Sequence, residues 1–68
     1  MYYVFMTNFD DVTAEELKEA VEAEALNPDC IFEEYEKAYS EFNRIINDDL
    51  DEDTHVFLFD GNMILMEV

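Results

Sequence analysis

Three short stretches of this chain are apolar at almost every position: Tyr2 to Met6 (YYVFM), Val56 to Phe59 (VFLF) and Met63 to Met66 (MILM). Each is too short for a helix and rich in aromatic or branched side chains, so each reads as a β-strand. A sheet with one wet face alternates apolar and polar residues, because successive side chains point to opposite faces. These stretches do not alternate. Both faces of the sheet therefore carry apolar side chains, and any fold of this chain must deal with both.

Two helices are written between the strands. Thr13-Ala14-Glu15-Glu16 fits a capping box, in which the Thr13 hydroxyl accepts from the Glu16 amide. Val12 before the cap and Leu17 four positions into the helix fit a hydrophobic staple. Leu17, Val21 and Ala25, with Ala14, share one face; Glu15, Glu19 and Glu22 share the opposite one, and the spacing predicts a helix ending near Leu26. Asn27-Pro28 reads as a cap with proline at the first position of a second helix. Along it, Ile31, Phe32, Tyr35, Ala38, Tyr39, Phe42, Ile45 and Ile46 recur at helical spacing. The other side holds Glu33, Glu34, Lys37, Glu41 and Arg44, with Glu33–Lys37 and Glu41–Arg44 spaced to pair. Asp60-Gly61, with the only glycine, fits a two-residue type I′ hairpin turn.

The expected fold is α+β: one β-α-α-β-β domain over residues 1–68, a three-stranded sheet with two helices on one face. The first strand can lie antiparallel to the 56–59 strand or parallel to the 63–66 strand. With both helices on one face the other stays bare, which implies a homodimer through the open sheet face or a docked partner.

Charge is the second constraint. Nineteen carboxylates against three basic side chains give a net charge of −16 in 68 residues, yet 50% of the residues are hydrophobic and 15% aromatic. That apolar content favours a folded domain over a disordered segment. A domain this small buries roughly 60% of its unfolded surface and is marginal, and self-repulsion lowers its stability further. Direct nucleic-acid binding is disfavoured, since phosphates would be repelled, and so are anionic membranes. The partner is expected to be basic. Cys30 is the only cysteine, so no intrachain disulfide forms and a cytoplasmic location is expected. No apolar run reaches the ~20 residues of a membrane span, and the N-terminus lacks the basic region of a secretory signal.

The carboxylates fall into three groups with little nearby compensation. Asp10 and Asp11 precede the first helix. Glu15, Glu19 and Glu22 line its outer face, relieved by Lys18. Asp48, Asp49, Asp51, Glu52 and Asp53 crowd the loop before the hairpin. Carboxylates at i, i+4 and i+7 step about 5–6 Å along a helix axis, not far from the ~7 Å between phosphates of one nucleic-acid strand. These ten residues are the candidate partner-binding set, because such an array can occupy a groove built for phosphates.

Other chemistries fail on their spacing. Asp49, Asp51 and Asp53 start a calcium-loop frame, but Thr54 stands where the sharp turn needs glycine and the bidentate glutamate is missing. His55 has no second histidine or nucleophile pattern to work with and reads as a strand-start residue. Cys30 is either a thiol of lowered pKa or a small buried apolar residue. No Gly-rich loop or metal-ligand spacing is present, so the chain reads as a non-enzyme without a cofactor.

The whole-chain character (size, charge, cysteine usage and compact α/β build) resembles the small acidic inhibitors of phages and other mobile elements. These include DNA-mimic anti-restriction proteins, anti-CRISPR proteins and inhibitors of the repair enzyme uracil-DNA glycosylase. The resemblance implies an acidic nucleic-acid mimic that blocks the basic site of a host nucleic-acid-binding protein. The alternative is a regulatory binder of a basic partner elsewhere than at a nucleic-acid site, such as an antitoxin or polymerase inhibitor.

Overall fold

The three apolar runs all become strands, and a fourth joins them from a segment whose spacing suits a helix. The structure, a computed structural model, describes residues 1–9, 11–48 and 51–68. Its elements are β1 (Tyr2–Thr7), α1 (Ala14–Glu22), a 3-10 turn (Pro28–Cys30), β2 (Ile31–Phe32), α2 (Tyr35–Asp48), β3 (His55–Phe59) and β4 (Ile64–Glu67). The fold is α+β, with two helices and a four-stranded antiparallel sheet in the order β2-β1-β3-β4.

The fourth strand corrects the expected three-stranded sheet. Asn27 accepts from the Asp29 amide at 3.0 Å and closes the 3-10 turn by a bond from the Cys30 N–H at 2.9 Å. Ile31 and Phe32 then pair with Tyr3 and Tyr2 at the edge of β1. A branched and an aromatic side chain suit that edge as well as they suit a helix, and pairing satisfies backbone groups that would otherwise lie open. The second helix begins only at Tyr35, where Ala38 N–H donates to the Glu34 carbonyl.

The two helices do not share a face, which overturns the expected arrangement. Val4, Val56 and Leu58 pack with Ala38, Phe42 and Ile45 of α2 on one side of the sheet. Phe5, Phe57 and Phe59 pack with Leu17 of α1 on the other. The reason lies between the helices: β2 sits at the sheet edge and carries the chain from the α1 side to the α2 side. Strands apolar on both faces are thus covered on both, and Val56 to Phe59 on β3 have no exposed surface. The bare face on which the expected homodimer rests is covered by a helix.

Local chemistry fixes the ends of α1. Thr13 Oγ1 accepts from the Glu16 N–H and donates to Glu16 Oε1, both at 3.3 Å, while Val12 packs in the same cluster as Leu17. The helix stops at Glu22 rather than near Leu26. Ala25 N–H donates to the Ala20 carbonyl at 3.0 Å and Glu24 N–H to the Val21 carbonyl at 3.1 Å, the Schellman closure. Ala20 therefore joins the buried face, and Ala25 leaves it for solvent.

The hairpin turns one residue later than the type I′ expectation. Asp60 N–H donates to the Met63 carbonyl, leaving Gly61-Asn62 as the loop. Gly61 has φ +96° and Asn62 does not share the positive φ, the pattern of a type II′ turn. Asp60 Oδ1 accepts from the Asn62 and Met63 amides, each at 2.8 Å. A bulge between Leu58 and Phe59 then places Ile64 opposite Phe59 and Met66 opposite Leu58.

Candidate functional site

Sheet register brings the acidic connections together at one end of the molecule. Thr7, the last residue of β1, lies opposite His55, the first of β3. The segment holding Asp11 leaves from that end, and the segment holding Asp51, Glu52 and Asp53 arrives there. Helix α2 runs from Tyr35, whose ring meets that of Tyr2 at 5.6 Å, to Asp48. Fourteen residues carry it about 20 Å, so Asp48 also lies toward this pole.

Helix α1 extends the acidic surface along one flank. Its last turn lies by Tyr3, since Val21 and Tyr3 line one cavity, so its first turn lies toward the pole. Glu15, Glu19 and Glu22 form an exposed ridge that leads away over roughly 10 Å. Asp11, Glu15, Glu19, Glu22, Asp48, Asp51, Glu52 and Asp53 are all exposed. Asp10 and Asp49 lie outside the described residues. The ridge is continuous with the pole through Asp11 and Glu15, and Glu22 is its most distant member.

The paired cations lie on α2, with Arg44 one turn before Asp48. On α2, Lys37 meets Glu34 at 4.0 Å, rather than Glu33, and Arg44 Nε donates to Glu41 Oε1 at 3.1 Å. The Arg44 hydrogen bond holds the Glu41 carboxyl below its ordinary range. These contacts neutralise part of the outer face of α2, on the side of the sheet opposite α1.

Two of the acidic residues sit where a helix disfavours them. Glu22 ends α1 and Asp48 ends α2, and neither last turn contains a basic residue. The negative pole of the helix dipole repels a carboxylate there. Asp11 and Glu15, near the start of α1, are on the favourable side.

The pole also carries apolar residues outside the acidic set read from the sequence. Met6 lies opposite Val56, and Val56 exchanges backbone hydrogen bonds with Val68 at 3.0 and 3.1 Å. Directly paired residues share a face, so Met6, Val56 and Val68 form a row across the sheet. Val56 is fully buried, while Met6 and Val68 are 50% and 48% exposed. Phe9, whose N–H donates to Thr7 Oγ1 at 3.2 Å, is 70% exposed. Its one sequence signal is an aromatic residue isolated in a polar, acidic connection.

His55 is half-buried at the start of β3. Cys30 is half-buried in the 3-10 turn; burial first, then Glu41 and Asp29, pushes its thiol pKa up rather than down. Among the described residues no group of three or more His, Cys, Asp or Glu is placed to hold a metal ion. Among them, too, no helix is long and apolar enough to cross a membrane.

No protein-family model matches this chain, and no curated protein or solved structure matches it either.

Proposed function

We propose that this chain is an acidic nucleic-acid mimic. It binds and blocks the basic nucleic-acid-binding site of a host defence or DNA-processing protein in the cytoplasm. The observation that supports this reading most directly is the placement of Glu22 and Asp48. Each ends a helix whose last turn holds no basic residue, at the negative end of the helix dipole, with Lys18 and Arg44 one turn earlier. Solubility alone does not call for charge at those two positions. With Asp11, Glu15, Glu19 and the 51–53 loop they make one exposed surface that carries negative charge as a phosphate backbone does.

Charge brings the partners together and the apolar pole makes the contact specific. Long-range attraction raises the on-rate and is screened beyond ~8–10 Å at physiological salt. Phe9, Met6 and Val68 offer exposed apolar area for a partner to bury, the composition of an interface core. Those same residues favour a second reading, a binder of a basic partner away from any nucleic-acid site.

Capture of a partner from host lysate, followed by a nucleic-acid displacement assay on the purified partner, separates the two readings. Under mimicry, one equivalent of this protein displaces the nucleic acid, affinity falls steeply with salt, and Asp48→Asn/Asp51→Asn/Asp53→Asn weakens displacement. A partner that keeps its nucleic acid while bound to this protein overturns mimicry in favour of the second reading.

A further inference from the structure

We propose that a cavity between the C-terminal end of α1 and the β1–β2 edge is a binding site for one arginine side chain of a basic partner protein. The cavity measures about 320 Å³ and is lined by Tyr3, Val21, Glu24, Leu26, Pro28 and Ile31. That is the low end of the range for ligand-holding clefts, suited to one long side chain.

The lining selects the occupant. Val21, Leu26, Pro28 and Ile31 offer apolar surface to an aliphatic stem, which long cationic side chains bury readily. Tyr3 brings an aromatic ring on which a guanidinium can stack. The charged lining residue is a glutamate, in a chain of net charge −16. An arginine uses stem, ring and carboxylate together; an apolar side chain leaves the carboxylate unused, and an anion is repelled by it.

The backbone at Glu24 points the same way. Glu24 has φ +54°, in the left-handed region that glycine normally occupies at this place in a Schellman closure. Strain held by a residue with a Cβ clusters at functional positions. Glycine would fit the backbone and would take the carboxylate from the cavity wall. The site stands apart from the mimicry reading, since it needs only a basic partner with an exposed arginine.

The test is a titration of methyl-labelled protein with N-acetyl-arginine amide, with N-acetyl-norleucine amide as the uncharged comparison at matched ionic strength. The Val21, Leu26 and Ile31 methyl signals are expected to move along a saturating curve, at lower concentration with the arginine probe. Glu24→Gln should weaken the arginine probe roughly two- to five-fold, the range of an exposed ion pair, and leave norleucine unchanged. Glu24→Gly should weaken it equally while unfolding at higher temperature. Equal affinity for the two probes, no effect of Glu24→Gln, or shifts spread over the acidic ridge without saturation at the cavity would each overturn the site. None of these results bears on mimicry, which is read in the displacement assay.

Discussion

Val4 and Phe5 are consecutive residues, both buried, and they belong to different cores: Val4 packs beneath α2 and Phe5 beneath α1. The same split recurs on β3, where Leu58 faces α2 between two phenylalanines, Phe57 and Phe59, that face α1. A 68-residue chain thus divides its apolar side chains between two thin layers that share one sheet.

Neither layer has stability to spare. Leu58→Ala should cost about 2–5 kcal/mol and Phe57→Ala about 3–5 kcal/mol, against roughly 3–10 kcal/mol for a domain of this length. Both variants are expected to lose a large share of that stability, as measured by urea denaturation. If one of the two unfolds like the parent protein, the sheet is not covered on both faces.

Glu24→Gly should stabilise the fold. A left-handed conformation costs a residue with a Cβ roughly 1–2 kcal/mol, and the greater freedom of unfolded glycine returns part of that gain. The expected net effect is about +1 kcal/mol, or a rise of several degrees in Tm. A calorimetric Tm at or below that of the parent contradicts the Schellman closure at Glu24.

Glu22→Gln and Asp48→Asn should each raise stability by about 0.3–1 kcal/mol, because each removes charge from the negative end of a helix dipole. The gain should shrink in high salt. Both changes should also weaken partner binding, which sets them apart from ordinary stabilising substitutions. Chemical denaturation at two salt concentrations supplies the first number and calorimetric titration of the captured partner the second.

Asp60 gives the hairpin a pH dependence. The Met63 amide, then the Asn62 amide, donate to its carboxylate and hold its pKa below the ordinary 3.8. A depressed folded value means the stabilisation is present above 3.8 and is lost as pH falls through the folded value. The stability gap between the parent and Asp60→Asn should therefore be open at neutral pH and close as pH falls from the ordinary 3.8 through the lower folded value. A gap that stays constant over that range would remove the charge from the account.

Cys30 should be a sluggish nucleophile. Its thiol is pushed above the ordinary 9.0 by burial, then by Glu41 and Asp29, and the thiolate is the reacting form. The midpoint of its alkylation rate against pH should lie higher in the folded protein than in the same chain in urea. Coincident midpoints would show an unperturbed thiol.

What the sequence determined by itself was local. The Thr13–Glu16 cap, the Val12–Leu17 staple, the strand runs and the hairpin around Gly61 each depend on residues a few positions apart, whose geometry is set by backbone chemistry. The composition also fixed the excess of negative charge. Tertiary structure decided the rest. Ile31 and Phe32 fit the period of a helix, yet an unpaired edge of β1 took them as a strand; only that edge, distant in sequence, makes the choice. The pairing moved the chain across the sheet and put the helices on opposite faces, which is why strands without alternation have no bare side. Glu24 carries no local sign of a left-handed conformation, since alanine and glutamate around it all favour continued helix. The acidic pole and the cavity both gather residues from segments far apart along the chain. Their proximity comes from the register of β1 against β2 and β3, which depends on how two cores pack at once.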